Sequence, residues 1–269
     1  MKNSSNSVKS RGVLLFAFNT NAVNYVQIAD QAARLVHHTL NLPVTLVTDH
    51  EAKTKHIDHT IIVNHTLQNV RKGYANLTTW RNSDRYQAYA LSPYDQTILI
   101  DSDYLMLDQS LCSLLDVCVD YQIMCNNRYI NRSTPRLIDI NSIDQVWATA
   151  IVFKRTDKSQ LLFNLVGRIQ RNYDYYRKLY NIRPTNFRND FAFAIANNII
   201  NGYTQNNTIP WSMLTVENAI TSLEKINNSL IVREADRAHV LPYQNLHVID
   251  KDYLALSEFE QFVNSVCQD

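Results

Sequence analysis

Asp101 and Asp103 stand two residues apart, directly after the aliphatic run Thr97-Ile98-Leu99-Ile100. Two carboxylates at the tip of an apolar strand can offer hard oxygen donors to a divalent cation, either side by side or with one acting through a water. A bound diphosphate supplies further oxygens. The cation then neutralises charge growing on a departing diphosphate, which is Lewis-acid help to a leaving group. Asp250-Lys251-Asp252 repeats the spacing. It lies in the tail after His247-Val248-Ile249, however, whereas the first pair follows a mid-chain strand and runs on into Tyr104-Leu105-Met106-Leu107.

Such a pair needs a scaffold that brings strand ends together. Val13–Phe18 reads as a buried strand, and a helix follows with Ile28, Ala32, Leu35 and Val36 on one face. Val44–Val47 and Ile61–Val63 read as two more strands. Strand, helix and strand with short links predict an α/β fold with a single doubly wound, mostly parallel sheet flanked by helices. Ligands of such sheets sit beyond the carboxyl ends of the strands, so Asn19, Asp49 and the segment after Ile100 are expected to line one crevice. Further helices are expected over Asp84–Leu91, Ser159–Tyr180, Asn189–Ile200 and Glu258–Val266, and further strands over Tyr121–Cys125 and Val146–Lys154. Residues 1–11 are Asn-, Ser- and Lys-rich and read as a disordered tail; residues 12–269 read as one domain.

Composition narrows the chemistry. The net charge is +1, so no global field draws the chain to nucleic acid or an anionic membrane. Only four glycines occur, and neither a dinucleotide-binding glycine fingerprint nor a P-loop is present, which leaves a metal, Arg or Lys, or a helix N-terminus to hold any phosphate. The four cysteines show no CxxC pairing, which fits a reducing compartment better than a disulfide framework or a zinc site. No apolar run reaches membrane-spanning length, and a cytoplasmic protein without a membrane partner is expected.

The segment RYQAYALSPYDQTILIDSDYLML, Arg85–Leu107, resembles glycosyltransferase family 8 and its glycogenin-like relatives. Arg85, Tyr94, Asp101 and Asp103 fall in register with that family's basic residue, tyrosine and Asp-x-Asp motif. The resemblance implies a GT-A fold and a retaining transfer of a sugar from a nucleoside diphosphate, UDP in particular, with Mn2+ or Mg2+ held by Asp101 and Asp103. It assigns Arg85 to the sugar nucleotide, a role that suits a guanidinium, and Ser102 joins the nucleotide-contact set. FAFNTNAVNY looks like the family's nucleotide-binding start, which makes Tyr25 the candidate to stack on the base and Asn19 a base or ribose contact, with Asp49 beside them. Asp190, in Arg188-Asn189-Asp190, matches the family's acidic helix start and is the candidate to orient the sugar or stabilise developing positive charge. His247, ahead of Lys251, stands for the family's third metal ligand, with His239 as its competitor. WATAIVFKR departs from the family's Asn-Ser-Gly strand by Ala148-Thr149-Ala150, which leaves the sugar open.

For the acceptor, Asn126–Arg136 reads as a loop that gathers Arg128, Arg132 and Arg136 with Tyr129, and Tyr173, Tyr176 and Tyr180 share a helical face near Arg177. Cations with aromatics can track a phosphate backbone and stack bases. One candidate acceptor is therefore a hydroxymethylated pyrimidine in DNA, as in phage DNA-modifying transferases; a glycan, lipid or protein hydroxyl is the other. Two readings compete with transfer: a nucleotidyltransferase that makes a nucleotide sugar, and a non-catalytic module that binds a nucleotide sugar or nucleic acid.

Overall fold

A computed structural model describes residues 10–64, 70–72, 77–79, 82–130, 137–139, 143–203 and 207–268. The first half runs β1 (Arg11–Phe16), α1 (Tyr25–Leu40), β2 (Val44–Thr48), β3 (His59–Ile62), a small antiparallel pair β4 (Val70–Lys72) and β5 (Leu77–Thr79), a 3-10 helix (Asn82–Gln87), α2 (Ala88–Leu91), β6 (Gln96–Asp101) and β7 (Tyr104–Leu105). Then come α3 (Ser110–Val117), β8 (Tyr121–Tyr129), β9 (Trp147–Lys154), α4 (Asp157–Arg171), α5 (Tyr173–Leu179) and α6 (Asn189–Ile200). The chain closes with β10 (Thr208–Val216), β11 (Ser222–Ile226), β12 (Ser229–Arg233), β13 (Ala238–Pro242), β14 (Leu246–Val248), α7 (Lys251–Leu254) and α8 (Ser257–Val266).

The main sheet has nine strands in the order β3-β2-β1-β6-β9-β8-β10-β14-β7. It is mixed, which corrects the expectation of a single doubly wound, mostly parallel sheet. β3, β2, β1 and β6 are parallel, as expected, but β9 is antiparallel to both β6 and β8, and β7 is antiparallel to β14. The sheet also curls. Only Ser102 and Asp103 separate β6 from β7, a reach of about 11 Å between flanking Cα atoms. In a flat sheet the five spacings between those two strands would need about 24 Å. The far edge therefore swings back beside β6 and makes a half-barrel whose seam is the Asp101–Asp103 turn.

Alternation along the strands divides the core. Leu14, Phe16, Leu99, Ile151 and Phe153 meet α4 and α6 on one face through Phe163, Val166 and Phe193. Val13, Leu15, Ile98 and Ile100 meet α1 and α3 on the other. A third cluster packs α8 and the antiparallel sheet β11-β12-β13 against the seam strands, with Leu214, Leu246 and Val248.

Some boundaries move. The expected helix Asp84–Leu91 is a 3-10 helix that tightens into α2, and the expected helix Ser159–Tyr180 breaks at Asn172, which caps α4 and opens α5. β1 begins at Arg11, inside the segment assigned to a disordered tail; residues 1–9 lie outside the described residues.

Candidate functional site at the sheet seam

β6 delivers Asp101 to the seam with its side chain 26% exposed. Arg85, from the 3-10 helix, approaches from beneath. Its guanidinium is buried, with Nη1 2.6 Å from Asp101 Oδ1 and Nη2 donating to the Thr149 carbonyl at 3.4 Å. Arg85 therefore grips the carboxylate and the β9 backbone rather than open space. Burial pushes the Asp101 carboxyl above its ordinary value, and Asp103 and Asp190 add to that push; Arg85 and His247 pull against it without cancelling it.

Asp103 is tied down by the tail of the chain. Its carbonyl accepts from Val248 N–H at 3.0 Å. Its Oδ2 accepts from Lys251 Nζ and lies 3.5 Å from His247 Nε2, whereas its buried Oδ1 has no hydrogen-bond partner among the described residues. Burial alone would raise the Asp103 carboxyl, but Lys251 and His247 outweigh it and hold it well below the usual carboxylate range. Lys251 Nζ also donates to the carbonyls of Val248 and Ile249 at 3.1 and 3.0 Å.

Pairing across the seam places His247. It lies opposite Tyr104 on β7 and beside Thr215 on β10. Thr215 Oγ1 gives its hydrogen to Asn127 Oδ1 at 2.7 Å and stands 3.3 Å from His247 Nδ1. With its one hydrogen spent, the hydroxyl can only accept from Nδ1–H, which leaves Nε2 as the ring atom facing Asp103.

Tyr25 opens α1, after Asn24 caps the helix by accepting from Gln27 N–H at 3.1 Å. Its hydroxyl lies in the field of the seam: burial raises it most, Asp103 and Asp101 raise it further, and Lys251 lowers it. Asn19 accepts from Val26 N–H at 3.0 Å and sits 3.5 Å from His50 Nε2, and His50 Nδ1 is 2.8 Å from Asp49. The structure thus links Asn19 and Asp49 through His50. Ser102 is buried inside the turn between the two aspartates.

Asp190 arrives on the first turn of α6. Its Oδ1 accepts from Ala148 N–H at 2.9 Å and its Oδ2 from Arg188 at 3.0 Å. A bulge frees that amide: β8 and β9 pair at Ile123 with Ile151 and next at Met124 with Trp147, which leaves Ala148, Thr149 and Ala150 unmatched on β8. The bulge therefore ties Asp190 to one end of Ala148–Ala150 and Arg85 to its middle.

Other sequence candidates lie elsewhere. His239 is on β13, 3.6 Å from Glu234. The second Asp-x-Asp is structural, because Asp250 caps α7 by accepting from Asp252 and Tyr253 N–H and also accepts from Ile220 N–H. Asn126–Tyr129 is strand rather than loop; Tyr129 is buried edge-on to Trp147 at 5.9 Å, Arg128 points outward, and Arg132 and Arg136 lie outside the described residues. In the tyrosine stripe, Tyr176 is buried and Tyr173 packs on Phe187 at 5.3 Å. Sequence reasoning missed Thr215, Asn127 and His50, and gave Lys251 no role. Alternation along β8 and β10 was the available signal for Asn127 and Thr215.

Among the described residues, no group of three or more His, Cys, Asp or Glu side chains stands close enough to share a metal ion in this arrangement. The donor set still suits a hard cation in kind. Asp103 Oδ1 is a buried carboxylate oxygen without a partner among the described residues, and an imidazole nitrogen faces the same carboxylate. All four cysteines are free thiols, and no helix among the described residues is long and apolar enough to cross a membrane.

No protein-family model matches the sequence, and no curated protein matches it. Solved structures do match in fold, and the fold is one that glycosyltransferases use. In particular, the galactosyltransferase LgtC, solved with donor and acceptor sugar analogues, aligns over 94% of this chain and 95% of its own, with a TM-score of 0.52 at 11% identity. The apo glycosyltransferase GlyE of Streptococcus pneumoniae TIGR4 aligns over 74% of this chain and 45% of its own, with a TM-score of 0.40 at 12% identity. The bifunctional glycosyltransferase WbbM aligns over 65% and 38%, with a TM-score of 0.38 at 15% identity. The chain spans less than half the length of GlyE and of WbbM, and nearly all of LgtC.

Proposed function

We propose that this chain transfers a glycosyl group from a nucleoside diphosphate sugar, UDP-linked in the first instance, to an acceptor hydroxyl. The observation that carries the reading is the seam itself. Asp101 and Asp103 end a central strand, His247 and Lys251 meet them from the tail, and Tyr25 lies in their field. An end-to-end likeness to the LgtC fold supports it at the level of fold.

Asp101, Asp103 and His247 are the residues that would hold Mn2+ or Mg2+, and a cation there supplies Lewis-acid stabilisation of the leaving diphosphate. The chain's own groups do the rest. Lys251, drawn off Asp103, is a flexible ammonium within reach of a phosphate. Arg85 fixes the Asp101 carboxylate from below. Tyr25 offers an aromatic ring to the base, and Asn19 and Asp49 offer polar contacts beside it. Asp190, with both oxygens engaged, is a rigid negative group suited to orienting the sugar and stabilising oxocarbenium-like charge. Retention of anomeric configuration is what the resemblance to glycosyltransferase family 8 implies.

The test is a sugar-nucleotide screen with and without Mn2+, read by donor hydrolysis and by thermal shift. UDP with Mn2+ at about a hundred times the dissociation constant should stabilise the fold by about 2.7 kcal/mol, and Asp103→Ala should lose both shift and turnover. No shift with any nucleoside diphosphate plus metal ends the transferase reading and favours a non-catalytic module, with nucleic acid as its ligand. Pyrophosphate release from a nucleoside triphosphate and a sugar phosphate would favour a nucleotidyltransferase. Oligonucleotides containing hydroxymethylcytosine belong in the acceptor screen; a mass gain of one sugar identifies DNA.

A further inference from the structure

α4 and α5 run end to end through Asn172, and their inner side chains, among them Leu162, Phe163, Val166 and Tyr176, are buried. Their outer stripe is not the polar surface that such a helix pair usually presents. Leu161 is 54% exposed, Tyr175 64% and Leu179 57%, and Tyr203, just past α6, is 60% exposed. Tyr175 and Leu179 are one turn apart on α5, where the tyrosines meet, and Leu161 lies further back on α4. The Tyr180 and Tyr203 hydroxyls are 2.5 Å apart, and the Tyr175 ring stands edge-on to Tyr176 at 5.3 Å.

Cations share the stripe. Arg168, Arg171 and Lys178 are exposed; Arg168 stands seven residues after Leu161 on α4, Lys178 stands three after Tyr175 on α5, and none of the three forms an ion pair with a described residue. Arg177 is answered by Asp174 at 3.2 Å. Asp157–Leu179 carries Lys158, Arg168, Arg171, Arg177 and Lys178 against Asp157 and Asp174, in a chain whose net charge is +1. These two helices are thus net positive in a nearly neutral chain.

We propose that this face rests on an anionic lipid surface. Arginine and lysine pair with phosphate headgroups, tyrosine rings settle at the boundary between headgroup and acyl chain, and exposed leucines gain by leaving water there. A nucleic acid would use the cations and the tyrosines but would leave Leu161 and Leu179 in solvent, and those two side chains decide for lipid. A surface contact needs no spanning helix. Tyr203 follows the C-terminus of α6 and Asp190 lies in its first turn, a separation of about 18 Å along the helix. Asp190 therefore lies about three turns of α6 from the covered Tyr203. The contact is independent of what the seam catalyses.

Flotation of the full chain with vesicles tests it. The protein should rise with phosphatidylglycerol/phosphatidylcholine vesicles, stay behind with phosphatidylcholine alone, and detach as salt is raised. The double variant Arg171→Gln/Lys178→Gln should lower the partition coefficient about 25-fold, about fivefold per cation. Tyr175→Ser/Leu179→Ser should lower it as well, with circular dichroism unchanged because all four side chains are exposed. Absence of flotation on anionic vesicles overturns the proposal, and so does equal flotation of parent and variants. A single-stranded oligonucleotide that strips the protein from vesicles, and whose binding both variants lose, gives the face to nucleic acid and overturns it too.

Discussion

The ammonium of Lys251 rests on the carboxylate of Asp103, a residue 148 positions earlier in the chain. One protein cation thus occupies the oxygen that faces His247. Removing it leaves a buried carboxylate short of charge compensation. Lys251→Met should therefore cost about 3 kcal/mol without metal, the low end for a broken buried pair because Lys251 keeps 21% of its side chain exposed. Millimolar Mn2+ should restore much of the loss in Lys251→Met, and differential scanning fluorimetry reads both. The sign with pH follows from Asp103, whose carboxyl is held below its ordinary value. Its contribution is present above an unfolded-state pKa of about 3.9 and is lost as pH falls through the folded one. The gap in melting temperature between parent and Lys251→Met should narrow below about pH 4; a gap that is constant down to pH 2 means Lys251 acts elsewhere.

Thr215 touches no proposed donor or acceptor, yet it sets which nitrogen of His247 carries hydrogen. Thr215→Val should raise the dissociation constant for Mn2+ about 10- to 100-fold, measured by electron paramagnetic resonance of free Mn2+, and Thr215→Ser should restore it. The imidazole 15N shifts of the metal-free protein give a second readout: the parent should show hydrogen on Nδ1, and Thr215→Val should show a mixture. Equal Mn2+ affinity in parent and Thr215→Val removes the positioning role.

Gly167 on α4 makes room for the Tyr86 ring, since a Cβ there would stand 2.6 Å from Tyr86 Cδ2. Tyr86 adjoins Arg85 on the 3-10 helix, so pressure at Gly167 should reach Asp101. Gly167→Ala should destabilise by about 1–3 kcal/mol and weaken UDP–Mn2+ binding beyond what the stability loss explains. Undiminished affinity in a destabilised Gly167→Ala would show that the 3-10 helix adjusts without moving Arg85.

Burial pushes the Tyr121 phenol up to about 12 although Asn201 hydrogen-bonds to it. Its folded-state value lies above its unfolded one of about 10, so its contribution is intact below pH 10 and is lost as pH rises through 12. Urea midpoints should fall between pH 10 and 12, and Tyr121→Phe should flatten that fall. An unchanged alkaline profile in Tyr121→Phe would assign it to other tyrosines.

The parallel half of the sheet was legible because β1, β2 and β6 are apolar runs with helices between them, and Asp101 sits at a strand tip that periodicity alone locates. The antiparallel strands were not. Val146–Lys154 reads as a strand in either direction, because direction depends on the path of the segment before it rather than on its own residues. Nor does a two-residue strand such as Tyr104–Leu105 carry a period, so the closure that brings His247 opposite it left no trace in local pattern. Arg85 was found from its register with the aspartates, but its burial follows from β9, 64 residues away by its contact to Thr149. Lys251 sat in plain view inside a second Asp-x-Asp whose first aspartate, Asp250, turned out to cap a helix.

The closure of β7 onto β14 carries a consequence for biosynthesis. A ribosome that has finished β7 has already made both seam aspartates, but their charge partners His247 and Lys251 are still unwritten. Until β14 and α7 emerge, the nascent chain holds two crowded acids beside Arg85, and the charges of the seam are balanced only once that stretch has been made.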